Sequence, residues 1–528
     1  MRHETRVGRR GIAAGVDERA GPANVNPVAA PASTPVAVLG RRPAHTAWPA
    51  GTWAWFVALL SLLLAGNLVT CRYLFWDAFY DLYAGRYIVQ HGIPHQNLIT
   101  VASYREAWQD QQWLAHVIFY ATWDAGGYRL LAGLSAILVT AGYGLLALIM
   151  LRRGVPPIRA FAWTAAAYMV ALGSVGIRAQ SFAYPCFALV LWVLLEDDRA
   201  PRLRPQSWLV IPVLVLWANT HGSVLLGAAL VCLYAGYRAV KASARHEYGA
   251  VPPFLAFGAA AGAAVVCTPY GPGVIQDYAR FIENPELAHN IVEWGTPSPL
   301  DPYSWAFFAL ILAVVIAVAL AWHRGTRPDP LLCGLALVLL AAAFTAVRNQ
   351  QWFAFGGSLL AADTLARSNG GRVPQLGQAF RKATTGVLAT LAVVSVGVLA
   401  LTSGQQFQSR IPRRAIDVAA TLAARNPAGR ILGDPWSGTP MLWLHPETIG
   451  RVGFDARMEL YSAPELSAYF DFLSVHGRRW QRVMHGYSLV VASRALDPKL
   501  TGALERLPGW RVVYQDRSGL VLQRRAGT

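Results

Sequence analysis

Two aspartates beside an apolar segment carry the strongest chemical signal in this sequence. Asp77 and Asp81 stand four residues apart, so on a helix they share one face. Tyr, Trp and Phe residues surround them, which suits a helix lying at the headgroup level of a membrane. A carboxylate with restricted access to water can take a proton from a hydroxyl group. The pair predicts a general base; the structural alternative is that both residues cap or solvate an interfacial helix.

Arginines form the second chemical group. Arg178, with Gln180 two residues later, precedes an apolar segment, and Arg348 lies at the end of another. A guanidinium group in such a position can hold a lipid phosphate through bidentate, charge-assisted hydrogen bonds. The alternative is an ordinary boundary arginine whose side chain snorkels to the lipid headgroups.

The remaining candidates suit substrate binding more than proton transfer. They are His91, Trp113, Asn219, His221, Glu293 and Trp294. Asn219 and His221 fall at a tight turn between two apolar segments, where closing the free carbonyl groups of the turn is an equally good explanation. A divalent cation is compatible with the carboxylates, but no ligand spacing calls for one, and the five cysteines lie singly without a CxxC pair. The sequence therefore predicts no metal site and leaves the cofactor unknown.

The amino-acid composition indicates the class of protein that positions these groups. Apolar residues make up 54% of the 528 positions and charged residues 14%, whereas soluble domains carry about 25% charged residues. The net charge of +17 does not indicate nucleic-acid binding, because the arginines flank apolar segments instead of interleaving with aromatic residues. Such placement is typical of topology determinants in membrane proteins.

Apolar stretches near the length needed to cross a bilayer recur along the chain. We predict a polytopic α-helical membrane protein with about eleven transmembrane helices. The predicted spans are 53–70, 128–150, 159–176, 181–196, 207–219, 222–238, 253–268, 304–322, 330–347, 351–366 and 386–402. The fifth and tenth are short and have Asn219 and Gln351 at their edges.

The distribution of Lys and Arg predicts the orientation. With the N-terminus inside, the cytoplasmic segments before residue 403 hold 22 of these residues and the opposite loops hold 7. Positive charge concentrates on the cytoplasmic side of membrane proteins. We therefore predict a multi-pass protein of the cytoplasmic (plasma) membrane, with its N-terminus inside and its C-terminal region outside.

Three domains follow from this topology. Residues 1–50 are rich in Ala, Pro, Gly and Arg, which predicts a disordered cytoplasmic tail. Residues 51–402 form the transmembrane domain, with external loops at 71–127 and 269–303. Residues 403–528 are more polar and alternate short β-like runs (429–432, 488–492, 510–514, 519–523) with helical stretches (414–424, 464–474, 499–507). This alternation predicts a small extracytoplasmic α/β domain.

In the predicted topology, the polar candidates share one side of the membrane. Polar groups within or beside spans are costly and indicate function by default. Polar residues without a common function would be distributed over both sides of the membrane. One external site therefore explains their placement most simply.

Several motifs of the chain resemble a bacterial branch of the GT-C glycosyltransferase superfamily. That branch has an aspartate before an aromatic pair, a Gly-x-x-Ile-x-x-x-Gly-x-Pro motif, a Trp…Trp-Leu segment, an Arg-Pro-Gln, a Trp-x-Asn-x-His-Gly, a Glu-Trp and an Asp-Gly-Arg-x-x-x-Tyr. The matching residues are Asp77, Phe79, Tyr80, Gly85, Ile88, Gly92, Pro94, Trp108, Trp113, Leu114, Arg178, Gln180, Trp217, Asn219, His221, Gly222, Glu293, Trp294, Asp455, Arg457 and Tyr461. The chain departs from the pattern at Ala179 and Ala456, which weakens the roles of their neighbours more than it weakens the fold.

The resemblance implies a GT-C-like fold and the transfer of a sugar from a polyprenyl-phosphate donor. It implies an acidic base in the first external loop, for which Asp77 is the first candidate and Asp81 the second. It also implies a C-terminal domain that helps to bind donor or acceptor, the acceptor being a glycan, a lipid or a protein. In that domain, Asp455 and Arg457 could contact a glycan, but a buried structural ion pair is the better interpretation.

Two other classes of function remain open at this point. A transporter or flippase of lipid-linked sugars would show internal repeats and polar groups near the middle of the membrane, and neither is evident in the sequence. A non-catalytic membrane protein of envelope assembly would keep the fold without the reaction. Only an enzyme would release free polyprenyl phosphate from a donor.

Overall fold

The structure is a computed structural model that describes residues 50–368 and 377–525, without the side chains of residues 50 and 280–283. The predicted cytoplasmic tail lies outside the described residues except for its last position. Residues Pro49–Thr528 belong to one compact unit, so the C-terminal region packs together with the apolar helices.

Most of the described residues are helical. In chain order, the α-helices are α1 Ala50–Thr70, α2 Trp76–His91, α3 Trp113–Arg152, α4 Pro157–Ala171, α5 Ala183–Asp197, α6 Val210–Thr220, α7 Val224–Ala244, α8 Val251–Ala264, α9 Val274–Glu283, α10 Pro285–Asn290, α11 Trp305–His323, α12 Pro330–Thr345, α13 Gln350–Ser368, α14 Gln378–Leu401, α15 Gly404–Phe407, α16 Arg413–Arg425, α17 Pro435–Leu444, α18 Ala463–Ser474 and α19 Pro498–Leu504. Short 3-10 turns connect several of them.

Within the described residues, six helical segments are long and apolar enough to cross a membrane. They are Gly51–Thr70, Trp113–Arg152, Ala179–Asp197, Val224–Ala244, Pro302–His323 and Gln378–Leu401. The chain is a multi-pass membrane protein. Two further apolar segments, Tyr248–Ala264 and Pro330–Thr345, are shorter.

Each of the eleven predicted spans falls on a helix, but the number eleven is not confirmed. The predicted spans 159–176, 207–219, 253–268, 330–347 and 351–366 lie on helices that are too short or too polar to meet the length and hydropathy of a full crossing. α13 is one of these, although it is almost entirely buried. A helix that is enclosed by other helices needs less apolar surface than one that faces lipid.

A break inside α3 separates the first external loop from the second predicted span. The helix has 40 residues, which is about 60 Å at 1.5 Å per residue and twice the thickness of a bilayer core. Gly126 and Gly127 interrupt it, and Gly127 has φ 64° and ψ −161°, a conformation open essentially only to glycine. Residues before the break belong to the predicted loop 71–127, and the span 128–150 follows it.

α2, the helix that carries Asp77 and Asp81, is packed between α3 and the C-terminal region. Gly85 makes the contact with α3 possible, since an added Cβ would lie 2.1 Å from the carbonyl oxygen of His116. On the other side, Arg86 donates hydrogen bonds of 2.8 and 3.0 Å to the carbonyl oxygens of Leu442 and Trp443 at the end of α17. The aspartates are therefore carried by a helix that is fixed on two sides.

The C-terminal region contains a four-stranded sheet. Its strands are β1 Ile431–Gly433, β2 Leu489–Ser493, β3 Trp510–Gln515 and β4 Gly519–Arg524, in the order β1-β2-β4-β3. β1 and β2 are parallel, and the other two pairs are antiparallel. The strands and α16, α18 and α19 fall where the alternation of β-like and helical runs placed them. β2 is buried along its whole length, as expected of a strand covered on both faces.

Candidate active site

Arg178 is the centre of the candidate site because it holds two carboxylates at once. Its Nε donates to Asp77 at 2.9 Å, while Nη1 and Nη2 donate to the two carboxylate oxygens of Glu293 at 2.7 and 2.8 Å. Asp77 lies in the first turn of α2, Arg178 precedes the segment leading into α5, and Glu293 lies in the 3-10 turn Val292–Trp294. Three predicted site residues that are far apart in sequence therefore meet.

The two carboxylates bound to Arg178 differ in acidity. Burial alone would raise the pKa of Glu293, but the guanidinium groups of Arg178 and Arg348 lower it to about 2. For Asp77, burial prevails over the positive charge of Arg178, and the negative charge of Glu293 adds to it, so its pKa is raised. Asp77 is thus the more basic of the two, and its side chain keeps 26% of its surface exposed.

Arg348 lies beside this pair, but its guanidinium group makes different contacts. Its guanidinium group stacks over the ring of Trp294, 4.3 Å from the centroid, and a backbone hydrogen bond of 2.9 Å from Val347 to Gly295 joins the two segments. Within the described residues, its guanidinium group makes no hydrogen bond or ion pair with a side chain. Arg348 is therefore the cation of the site whose donors are available to a ligand.

Asp81 lies one helical turn further and has a different environment. It is 2% exposed, and its Oδ1 is 3.1 Å from Nε2 of His116, whose Nδ1 is 2.8 Å from Asp110. Burial raises the pKa of Asp81 to about 6, although the His116 ring acts in the opposite direction. This buried carboxylate–imidazole–carboxylate chain ties α2 to the start of α3.

The Trp-x-Asn-x-His-Gly motif joins helices next to the site. Asn219 accepts a hydrogen bond of 2.7 Å from Nε1 of Trp113 and donates to the carbonyl oxygens of Val215 and Cys267. These contacts match the structural interpretation of a closed turn. His221 is distinguished from Asn219 by its electrostatic environment. Burial and the positive charges of Arg348 and Arg178 lower the pKa of its ring well below the usual range. Its Nδ1 accepts from the backbone N–H of Ser223 at 3.1 Å, which leaves the ring proton on Nε2.

Two of the predicted residues that the structure describes make no direct contact with Asp77, Glu293 or Arg348. His91 is exposed at the last turn of α2 and stacks on Tyr87; fourteen residues of helix put it about 21 Å from Asp77. Gln180 is 4% exposed, and within the described residues no hydrogen bond joins its side chain to Asp77, Glu293 or Arg348.

Asp455 and Arg457 form a buried ion pair between the C-terminal region and the first loop. Arg457 donates to Asp455 at 2.7 and 2.8 Å, and Asp455 also accepts from the hydroxyl group of Tyr83 on α2 at 2.5 Å. Arg457 reaches Asn97 at 3.0 Å and stacks over Trp108 at 4.3 Å. Both side chains are fully buried, as the structural interpretation expects.

Sequence reasoning missed two residues near the site. His116 follows Trp113 by three positions, so its place on the same helix face as Trp113 was the available signal. Glu459 lies within the Asp455–Tyr461 motif, four residues after Asp455, and its charge acts on Arg348. Among the described residues, no group of three or more His, Cys, Asp or Glu side chains is arranged to hold a metal ion.

No protein family model and no curated protein sequence matches this chain. Solved structures do. The chain is similar to ArnT from Cupriavidus metallidurans bound to undecaprenyl phosphate, with 15% identity and a TM-score of 0.47 over 91% of this chain and 99% of ArnT. It is also similar to the oligosaccharyltransferase AglB from Archaeoglobus fulgidus in complex with an inhibitory peptide and a dolichol-phosphate, with 12% identity and a TM-score of 0.49 over 85% of this chain and 70% of AglB.

These solved structures are GT-C superfamily glycosyltransferases. Since the TM-scores lie below 0.5 and the identities at or below 15%, we transfer no residue role from them to this chain.

Proposed function

We propose that this chain is a membrane glycosyltransferase that moves a sugar from a polyprenyl-phosphate donor to an acceptor hydroxyl group at the outer face of the membrane. The observation that carries the proposal is the meeting of Asp77, Arg178, Glu293 and Arg348. It supplies a partly exposed carboxylate of raised pKa next to an arginine with available donors. Sugar transfer from a lipid phosphate needs a proton acceptor and a cation for the leaving phosphate.

Asp77 is the proposed general base. One of its oxygens is oriented by Nε of Arg178 at 2.9 Å, which leaves the other oxygen to accept the proton of the acceptor hydroxyl. Its raised pKa makes it a stronger base than an ordinary aspartate. Asp81 is buried and bound to His116, so it supports α2 in this proposal instead of reacting.

Arg178 positions Asp77 in this proposal instead of binding the phosphate. Three of its five N–H groups are already used by two carboxylates. Arg348 takes the phosphate role, because its guanidinium group meets no carboxylate within ion-pair distance in the described part of the chain. The Nε2–H group of His221 is a second, uncharged donor on the side of the two arginines.

The reaction balances with these groups alone. The acceptor oxygen attacks the anomeric carbon of the sugar while its proton passes to Asp77. The bond between the anomeric carbon and the phosphate oxygen breaks, and its electron pair stays on the phosphate. Arg348 stabilises the charge that develops there, where a preorganised donor has its largest effect. The products are the glycosylated acceptor, free polyprenyl phosphate and, after release of the proton to solvent, the original enzyme.

The test is release of free undecaprenyl phosphate from undecaprenyl-phosphate hexoses by the protein in liposomes. We expect Asp77→Asn to lower the rate by about 10²- to 10⁴-fold, the usual contribution of a general base. Asp124→Asn is the matched control, since Asp124 is an exposed residue of α3. Arg348→Gln should weaken binding of undecaprenyl phosphate.

Two results would contradict the proposal. Near-normal release by Asp77→Asn would remove the base assignment, and unchanged lipid affinity in Arg348→Gln would remove the phosphate role. Movement of the intact donor across the membrane without any release of undecaprenyl phosphate would instead favour a flippase.

A further inference from the structure

A cavity of about 280 Å³ lies at the other end of two membrane-crossing segments from the candidate site. Arg178 precedes the segment Ala179–Asp197, and His221 precedes the segment Val224–Ala244. These segments have 19 and 21 residues, which is about 28 to 32 Å of helix and matches the thickness of a bilayer core. The cavity is lined by Asp198, directly after the first segment, and by residues at the end of the second. The cavity and the candidate site therefore lie at opposite surfaces of the membrane.

Arg238 of α7 forms a fixed wall of this cavity. Its side chain is 5% exposed, and its Nη2 donates hydrogen bonds to the carbonyl oxygens of Ala200 and Pro201 at 2.7 and 3.2 Å. Its Nη1 is 3.3 Å from Oδ2 of Asp197, and the guanidinium group lies over the ring of Phe254, 4.6 Å from the centroid. These contacts join α7 to the loop after α5 and to α8. The cavity is thus formed before any ligand arrives, as binding sites usually are.

Four cationic residues line the cavity: Arg199, Arg238, Lys241 and Arg245. The charge of Arg238 is balanced by Asp197, and that of Arg199 by a glutamate one helical turn before it, at 2.7 Å. The ammonium group of Lys241 uses one of its three N–H groups, for a tyrosine hydroxyl at 3.2 Å. Arg245 is exposed and has no ion-pair partner among the described residues. Lys241 and Arg245 are therefore available to an anionic group.

Two carboxylates line the same cavity, those of Asp198 and Glu247. Oδ1 of Asp198 is buried and accepts no hydrogen bond from the described residues. It is 3.7 Å from Nη1 of Arg238, which Asp197 already engages at a shorter distance. Buried carboxylate oxygens ordinarily accept a hydrogen bond, so this oxygen is suited to a donor that enters the cavity. The cavity thus offers partners for a positive group as well as for a negative one.

Apolar side chains of α8 and the turn before it adjoin the cavity. Phe254 lines it, and the next residue, Leu255, is 57% exposed. Tyr248, in the turn before α8, is 63% exposed, and tyrosine is common at the membrane–water interface. The volume of the cavity is close to the lower limit of about 300 Å³ for ligand pockets. It suits the headgroup of a lipid, whose acyl chains can lie along α8.

We infer that this cavity binds the headgroup of a membrane lipid that carries both a phosphate and a primary amine, as phosphatidylethanolamine does. Lys241 and Arg245 hold the phosphate through charge-assisted hydrogen bonds. Asp198, with Glu247, accepts from the ammonium group. A lipid with a phosphate but no amine leaves these carboxylates unpaired beside its own negative charge. The inference concerns the surface opposite the candidate site and does not depend on the proposed function.

Binding is measured by native mass spectrometry of the full-length protein in detergent. The probes are dioleoyl phosphatidylethanolamine, dioleoyl phosphatidylglycerol and the water-soluble glycerophosphoethanolamine. We expect the amine-bearing lipid to bind about tenfold more tightly than phosphatidylglycerol, as one hydrogen bond between charged groups would give. Glycerophosphoethanolamine should bind more weakly than the lipid by at least about tenfold, because it has no acyl chains to bury.

Two variants separate the two halves of the headgroup. The double variant Lys241→Gln/Arg245→Gln should weaken the binding of both lipids about tenfold or more. Asp198→Asn should lower the affinity for phosphatidylethanolamine to that for phosphatidylglycerol, and Glu247→Gln should reduce this preference in part. Arg327→Gln is the matched control, since Arg327 is an exposed arginine of the loop between α11 and α12 that does not line the cavity. It should bind both lipids as the wild type does.

The other results contradict the inference, each at a different point. Equal affinity of the wild type for the two lipids removes the recognition of the amine. Glycerophosphoethanolamine that binds as tightly as the lipid makes the ligand a soluble phosphate ester, and unchanged binding by the double variant places the lipid elsewhere. The melting temperature without lipid shows whether each variant is folded. If Asp198→Asn is unfolded, a full preference for phosphatidylethanolamine in Glu247→Gln is the result that overturns the inference.

Discussion

Asp77 is subject to three effects on its acidity. Burial raises its pKa most, the positive charge of Arg178 lowers it, and the negative charge of Glu293 raises it. A base must be deprotonated to act, so its activity decreases as the pH falls through its pKa. The acid limb of the pH–rate profile is therefore a direct measure of these contacts.

We predict opposite shifts of this limb from two substitutions. Arg178→Gln removes the positive charge, so the pKa of Asp77 should increase and the limb should move to higher pH. Glu293→Gln removes a negative charge and frees two donors of Arg178, so the limb should move to lower pH. The measurement is kcat/KM for undecaprenyl phosphate release between pH 4 and pH 9, a range of about five units chosen to cover raised carboxyl pKa values. Shifts in the same direction would show that Asp77 is not the titrating group.

At this scale the sequence predicted the residue types but not their pairings. Asp77, Arg178, Glu293 and Arg348 were all expected at one external site. That Arg178 is used by two carboxylates while Arg348 is not depends on side-chain geometry between segments more than 100 residues apart, since 115 positions separate Arg178 from Glu293. His116 was missed because a histidine in an apolar helix gives no sign of which carboxylates its ring will meet.

Among the elements, α2 depends most on close packing. Gly85 faces α3 at a point where a side chain would collide with the backbone of His116 and with Tyr120. This contact explains the first glycine of the Gly-x-x-Ile-x-x-x-Gly-x-Pro motif. Gly92, the second glycine, ends α2 with φ 84°, a conformation that favours glycine.

We predict that Gly85→Ala destabilises the protein although alanine is the better helix former by about 1 kcal/mol. The collision forces α2 away from α3, and such overpacking costs about 1–3 kcal/mol. Gly133→Ala on α3 is the matched control, because an added Cβ there meets nothing within 4 Å. Thermal unfolding in detergent should show a lower melting temperature for Gly85→Ala only. Equal melting temperatures would show that α2 and α3 can separate without cost.

Hydropathy predicted correctly where helices occur, but it did not predict which of them are long and apolar enough to cross the membrane. The eleven predicted spans all fall on helices, yet α4, α6, α8, α12 and α13 are shorter or more polar than a full crossing requires. Apolar sequence is needed both for contact with lipid and for burial among other helices. The hydropathy of a segment therefore does not distinguish a helix that faces lipid from a helix that is buried among other helices.

For the whole molecule, two separate observations bear on the orientation. The distribution of Lys and Arg predicts that the helix ends near Asp77, Arg178 and Arg348 lie on the outer side, and the contacts of Arg178 with Asp77 and Glu293 put these residues on one side of the membrane, whichever side that is. The C-terminal region lies on the same side as α2, because its Asp455 and Trp443 contact that helix directly.

We predict the orientation of reporter fusions on this basis. Alkaline phosphatase, which folds only outside the cytoplasm, should be active when fused after Arg525, and green fluorescent protein at the same position should be dark after Sec-dependent export. Fusions in the loop 198–204 between α5 and α6, which carries Arg199, Arg202 and Arg204, should give the reverse result. Phosphatase activity in that loop together with a fluorescent C-terminus would invert the topology and place the site inside.

The ion pair of Asp455 and Arg457 makes contacts that can form only late in the synthesis of the chain. Its partners Tyr83, Asn97 and Thr100 are separated from it by 357 to 372 positions, so these contacts form only after nearly the whole chain has been synthesised. Domains emerge from the ribosome at about 5–20 residues per second, and the helices that carry Asp77 and Arg178 are made long before the turn that carries Glu459. An incomplete chain in the membrane would thus lack the element that holds the first loop, and with it α2, in place.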